Sequence, residues 1–79
     1  MKTNHAPALS KSFLELNSRQ LSQANTKEEV MYFSWYALGS IWAFSICEAI
    51  SISDRKLWIR HIEELAAKRK AELSQGGDR

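Results

Sequence analysis

Few side chains of this 79-residue chain could do chemistry, and their spacing does not bring them together. Cys47 is the single cysteine and a possible nucleophile, Glu48 beside it is a possible acid or base, and His5 and His61 are possible metal ligands. A zinc site needs three or four ligands at recognised spacings, and these residues show none. No serine stands in the glycine-flanked turn that hydrolases use. We therefore expect no enzyme, no metal site and no cofactor.

Each of these residues also has a simpler structural interpretation. Glu48 follows an apolar stretch, and we expect it to reach water or to pair with Arg55. Cys47 is expected to serve as a small apolar side chain. One cysteine cannot form an intramolecular disulfide, and no apolar leader follows Met1. These features predict a protein that stays in a reducing cytoplasm.

Composition indicates one small domain that is short of core. The chain is 44% hydrophobic, and its 11 basic and 9 acidic residues give a net charge of +2, too balanced to require a nucleic-acid partner. A chain of this length buries only about 60% of the surface that its unfolded form exposes. Disulfides and metals are the usual remedies, together with oligomerisation and very regular helix packing. Since no intramolecular disulfide and no metal site is expected, oligomerisation and regular helix packing remain.

The first predicted helix covers residues 8–24 of a single helical domain at 8–74. Leu9, Phe13 and Leu16 recur at spacings of four and three, which indicates a narrow apolar face. Leu14 and Leu21 lie beside this row. The flanking residues 1–7 and 75–79 are polar or glycine-rich and are predicted to be flexible.

The second predicted helix covers residues 26–50. Thr26 and Glu29 have the spacing of a capping box, in which the threonine hydroxyl accepts from the Glu29 amide and the glutamate reaches back to the first residue. Only Gly39 interrupts the helix-forming residues that follow. This pattern makes residues 26–50 the central helix of the domain.

The third predicted helix covers residues 53–74 and forms an antiparallel hairpin with the second. Ser53 is expected to cap it, with Ile52 packing on Leu57 as a hydrophobic staple. Two glycines at 76 and 77 offer a left-handed stop. Its apolar stripe consists of Trp58, Ile59, Ile62, Leu65 and Ala66. The fold class is therefore all-α, with three helices.

The second helix has no polar face. Its 18 residues from Val30 to Cys47 carry no charge, and they hold six of the eight aromatic residues. On a helical wheel one side carries Val30, Phe33, Ile41 and Phe44, and the opposite side carries Tyr32, Trp35, Trp42 and Ile46. A helix that is apolar all round is buried all round or lies in a membrane. Because two neighbours cannot cover every side of it, the pattern predicts a further partner.

A second chain is the partner that we expect. Gly39, Ala43 and Cys47 are four residues apart and form a stripe of small side chains, which lets another helix approach closely. A homodimer is the commonest arrangement that supplies such a helix. The residues expected at a dimer or partner interface are Tyr32, Trp35, Tyr36, Gly39, Trp42, Ala43, Cys47, Trp58 and Ile62.

Two other interpretations stay open. Residues 30–50 reach the lower length limit of a membrane anchor, as in a single-span toxin. Their mean hydropathy is only about 1, and tyrosine and tryptophan lie in the middle of the segment instead of at its ends. The basic residues of the third helix suggest DNA, but acidic residues are interleaved with them, so no direct nucleic-acid contact is expected.

The segment from Glu29 to Phe44, EVMYFSWYALGSIWAF, is followed by a short break and a charged helix. In size, helical build and aromatic helix, residues 26–74 resemble the small helical antirepressors of temperate bacteriophages. The resemblance implies a cytoplasmic protein that binds a phage repressor and removes it from its operator, which induces the prophage. Together with the residue pattern, it predicts a homodimeric interaction module that acts by stoichiometric sequestration. Aromatic residues of the second helix and side chains of the third would then be the contacts.

Overall fold

The computed structural model describes residues 6–77, which form three α-helices joined by two short connections. They are α1 (Ala6–Ser22), α2 (Lys27–Ile46) and α3 (Ile52–Gly77). Every pair of helices is in contact, with α2 and α3 sharing the most extensive packing. No strand occurs within this described part of the chain. The all-α fold of three packed helices is confirmed.

Both ends of the helical domain extend further than predicted. Pro7 lies in the first turn of α1, where its missing N–H has no helical partner to lose. At the other end, α3 continues through residues 75–77, so the two glycines there belong to the helix. Glycine adopts right-handed helical angles as readily as left-handed ones, so a glycine pair does not by itself end a helix. The remainder of the predicted flexible ends, residues 1–5 and 78–79, lies outside the described residues.

The buried row of α1 is not the one that the leucine spacing predicted. Leu9 is 66% exposed and Leu16 is also exposed. The residues of α1 and its C-terminal extension that are buried instead are Ser10, Leu14, Asn17, Leu21 and Ala24. These follow a spacing of four and three as well, but two of them are polar. A search for apolar periodicity alone therefore chose the neighbouring row.

The N-terminus of α2 confirms the predicted cap in its main part. Thr26 has an extended backbone conformation, and its Oγ1 accepts a hydrogen bond from the Glu29 N–H at 3.0 Å. The Glu29 carboxylate accepts from the N–H of Asn25 at 2.8 Å, one residue before the amide that a capping box predicts. Both contacts satisfy amides at the start of the helix.

The C-terminus of α2 lies at Ile46, four residues before the predicted end. Glu48 takes a φ angle of 60°, in the left-handed region. The Ala49 N–H donates to the Phe44 carbonyl at 2.8 Å, and the Glu48 N–H donates to the Ser45 carbonyl at 3.1 Å. These two bonds form a Schellman motif, in which glycine is the usual left-handed residue. Because glutamate stands there instead, the sequence carried no signal for this stop.

The N-terminus of α3 is capped by Ser51, so the prediction of a Ser53 cap is wrong. The Ser51 Oγ accepts from the Asp54 N–H at 3.0 Å, and the helix begins at Ile52. Ile52 and Leu57 are both largely exposed, so they form no buried staple. The Schellman turn at the end of α2 closes at Ala49. Ser51 is then the first residue after the turn whose side chain can cap α3.

The core lies between the inner sides of the three helices. Its buried members are Leu14, Leu21, Ala24, Val30, Ala37, Ile41, Ile62 and Ala66. Partly buried side chains complete it, among them Phe33, Phe44, Trp58, Ile59 and Leu65. The predicted inner side of the second helix and the predicted stripe of the third are both confirmed.

Candidate protein-interaction surface

The side of α2 that points away from the core is apolar from Met31 to the end of the helix. We call it the outer face. It consists of nine exposed residues, which are Met31, Tyr32, Trp35, Tyr36, Gly39, Trp42, Ala43, Ile46 and Cys47. No charged residue interrupts it. The predicted division of α2 into two opposite apolar sides is therefore present, and α1 and α3 cover only one of them.

The outer face has the spacing of a helix-pairing seam. Tyr32, Trp35, Gly39, Trp42 and Ile46 alternate at intervals of three and four residues. This interval pattern is that of the a and d positions at which one helix packs against another. Gly39 lies at the midpoint, seven residues from either end. A Cβ atom placed on Gly39 would meet nothing within 4 Å, so the centre of the seam is open.

The area of this face exceeds what a monomer usually leaves uncovered. Tyr32 is 64% exposed, Trp35 66% and Ile46 78%, while Tyr36 and Trp42 are each about half exposed. Because an aromatic side chain offers about 150–250 Å², the outer face presents about 600–800 Å² of apolar surface. The largest apolar patch on a typical monomer is about 300–600 Å², and larger patches mark sites of interaction.

Ring contacts hold the tyrosines of the outer face in place. Tyr32 and Tyr36 stack with their centroids 6.4 Å apart and their planes 4° from parallel. Phe13 of α1 meets Tyr36 edge to face at 5.9 Å. The tyrosine pair is therefore anchored to the neighbouring helix, which lowers the entropy cost of binding against it.

A cation holds Trp42 on the opposite edge of the face. The guanidinium carbon of Arg55, in the first turn of α3, lies 4.5 Å from the centroid of the Trp42 ring. Nη1 of Arg55 also donates to Ser45 Oγ at 3.2 Å. The contact of Arg55 with the Trp42 ring is a cation–π interaction, which fixes the indole from one side. Arg55 thus pairs with α2 side chains, while Glu48 is exposed.

A groove borders the outer face at the C-terminal end of α2. It has a volume of about 720 Å³ and lies between the first half of α1 and the second half of α2. Leu9 and Phe13 form one wall, and Ala43, Phe44 and Cys47 form the other. Since Ala43 and Cys47 belong to both features, the groove continues the apolar surface sideways.

Seven of the nine residues predicted at an interface lie on the outer face. The other two belong to α3. Trp58 is partly buried against the core and touches His61 edge to face at 5.7 Å. Ile62 is completely buried within this chain, so it contacts its own core and offers nothing to a partner. Met31 and Ile46 were missing from the predicted interface, although their helical positions place them on the same side.

The candidate chemical groups are not gathered into a site. Cys47, Glu48 and His61 are all exposed, and His5 lies outside the described residues. Within the described chain no three histidine, cysteine or acidic side chains are placed to hold a metal ion.

The outer side of α3 is charged where that of α2 is apolar. Its exposed residues include Lys56, Arg60, Glu63, Glu64, Lys68 and Lys70. Charges of both signs occur along it, which is typical of a solvated helix surface. Among the described residues of α3, Ile52 and Leu57 are the large apolar side chains that are exposed.

Over residues 6–77, no helix combines the length and the apolarity that crossing a bilayer requires. Comparisons of the chain with protein-family models, with curated proteins and with solved structures found no match. Function is therefore inferred from the surface of the molecule itself.

Proposed function

We propose that this protein is a small regulator that acts by binding another protein through the outer face of α2. The observation that supports the proposal is an apolar surface of six large side chains, four of them aromatic, on one helix that its own fold leaves uncovered. Tryptophan and tyrosine are the residues on which binding energy concentrates at protein interfaces. Their anchoring by Phe13 and Arg55 favours a rigid binding surface.

Such a regulator needs no chemistry of its own. The regulator keeps its target inactive while the two proteins are bound. Its effect therefore depends on the concentration of the regulator relative to the dissociation constant of the complex. The proposal therefore predicts a stoichiometric response, in which one equivalent of the protein inactivates one equivalent of its target.

The specific form that we propose is an antirepressor, which binds a transcriptional repressor and takes it from its operator. The support for this step is the resemblance of the Glu29–Phe44 segment to small phage antirepressors. Trp35 and Trp42 would be the main contacts from α2, with Arg55 of α3 beside them. The protein would act in the cytoplasm, where operator DNA is found.

Displacement of a repressor from labelled operator DNA tests this function directly. In this experiment, each helix-turn-helix repressor from the genome that encodes this protein is first bound to its labelled operator DNA. Fluorescence anisotropy then follows the DNA while the protein is added. We expect the DNA to be released at one equivalent. We also expect Trp35→Ala to weaken the effect by about 30-fold, the loss of a hot-spot side chain.

The matched control is Arg60→Ala on the charged side of α3, which should release the DNA as the unaltered protein does. Operator that stays bound to every repressor at a large excess of protein would contradict the antirepressor proposal. Equal activity of the Trp35 and Arg60 variants would instead show that the outer face of α2 is not the surface used.

A further inference from the structure

We infer that the outer face of α2 binds a second copy of this chain in an antiparallel dimer, with the two helices crossing at Gly39. The inference rests on the proposed function in one respect only, which is that both use the outer face, so the second copy and a target protein bind there in competition. The inference identifies one occupant of the outer face, which is a second copy of this chain.

The area of the face matches what a stable dimer needs. A standard interface buries about 800 Å² on each partner. The outer face supplies about 600–800 Å² by itself, and the groove lined by Leu9 and Phe13 extends it. In a two-fold dimer the same patch is used on both chains, so one face of this size completes the interface.

The distribution of large and small residues along the face favours the antiparallel orientation. On the side nearer α1, the N-terminal half carries Tyr32 and Tyr36, and the C-terminal half carries Ala43 and Cys47. A two-fold axis at Gly39 places the tyrosines of one copy against the small residues of the other. The groove beside Ala43 and Cys47 then receives the tyrosine rings. A parallel pair would set tyrosine against tyrosine and leave both grooves empty.

The centre of the face permits close contact of the two helices. Gly39 has no side chain, and no atom lies within 4 Å of the place where its Cβ would be. Two glycines meeting at the axis allow the helices to approach to about 8 Å, the short end of the usual range. Trp35 and Trp42 lie on the same edge of the face, four residues before and three residues after Gly39. In the antiparallel dimer, Trp35 of each copy therefore meets Trp42 of the second copy.

Sedimentation equilibrium of the full chain tests the dimer and its centre. We expect a dimer for the unaltered protein, and at least about 30-fold weaker association for Gly39→Leu, because a leucine at the crossing separates the helices. The variant should keep its fold, since the position is open and leucine favours helix more than glycine does. Circular dichroism on heating checks this. Ala67→Leu, an exposed position of α3, is the matched control and should leave the dimer unchanged.

Disulfide cross-linking tests the orientation. In the antiparallel dimer, the two Cys47 residues are about 24 Å apart along the helix and cannot be bridged. A thiol introduced by Tyr32→Cys lies beside Cys47 of the second copy, so oxidation should give a covalent dimer. The cross-link should disappear when Cys47→Ser is added. A parallel dimer would give the cross-link with and without Cys47.

The outcomes separate this inference from the proposed function. The inference is overturned by a monomeric protein at about 100 µM, by an unchanged dimer in Gly39→Leu, by cross-linking that persists after Cys47→Ser, or by no cross-link in a protein that does dimerise. A monomer that still displaces a repressor leaves the proposed function standing. A dimer that leaves every operator occupied supports the inference and removes the antirepressor proposal.

Discussion

The outer sides of α2 and α3 are adjacent surfaces of one small fold, and their compositions are opposite. Both helices bury one side against the same core, through Ile41 of α2 and Ile62 of α3. Away from the core, α3 presents charges of both signs, such as Arg60 and Glu64. At the corresponding place α2 presents an uninterrupted row of aromatic and small residues, centred on Gly39.

This difference shows which residues the fold needs and which it does not. The outer side of α3 is mostly charged, with Ile52 and Leu57 as its exposed large apolar side chains, so a helix in this bundle packs its inner side without an apolar outer side. The aromatic residues on the outer face of α2 therefore contribute little to the core of a single chain. Exposed aromatic patches lower solubility and promote association. The proposed binding would give this surface a role that the monomer does not.

The largest effects are expected on the inner sides, where the two helices are alike. Ile41→Ala and Ile62→Ala each remove a completely buried side chain and should lower the free energy of unfolding by about 2–5 kcal/mol. Urea titration followed by circular dichroism, at one fixed protein concentration, measures the change. Leu57→Ala on the outer side of α3 is the control and should stay within about 0.5 kcal/mol. A loss for Ile62→Ala as small as that of the control would contradict the buried position of Ile62.

The main features of α2 could be predicted from the sequence because they depend on local patterns. An uncharged run with aromatic residues on two opposite sides is visible on a helical wheel before any packing is known. The Thr26–Glu29 cap is likewise read from a three-residue spacing, and the structure has its hydroxyl bond. Seven of the predicted interface residues followed from the same run.

The features that could not be predicted depend on contacts between distant segments. Asn17 is 1% exposed and takes a core position in α1, where its Nδ2 finds no partner within the described chain. Nothing local indicates that a polar residue will be buried in this way. Likewise, the groove beside Ala43 exists only because α1 brings Leu9 and Phe13 next to α2. A spacing within one helix carries no information on such neighbours.

A smaller effect is expected from Arg55, the residue that links the two outer sides. Arg55→Ala removes the cation from the Trp42 ring, so the indole becomes free to turn. A cation–π contact at an exposed site contributes about 0.5–1 kcal/mol, which predicts dimer or partner binding weaker by about two- to five-fold. Sedimentation measures the association, and near-ultraviolet circular dichroism measures the ordering of the tryptophan.

Lys56→Ala, one residue further along the exposed side of α3, is the matched control for charge. It should change neither signal. Should Arg55→Ala and Lys56→Ala weaken association equally, the effect would be one of net charge, and the outer face of α2 would not depend on α3 for its order.

The smallest effect is expected at Glu48, where α2 ends and its outer face stops. Its φ angle of 60° is unfavourable for a residue with a side chain by about 1–2 kcal/mol. Glycine removes that cost but loses more entropy on folding. We expect Glu48→Gly to raise the free energy of unfolding by about 0.5 kcal/mol, with dimer and partner affinity unchanged. Glu63→Gly, within α3, should lower the free energy of unfolding by about 1 kcal/mol. Since stability would rise at one end of α2 while binding stays constant, this pair of variants separates what folds the helix from what its outer face binds. A change in affinity with Glu48→Gly would show instead that the Schellman turn itself contributes to the interface.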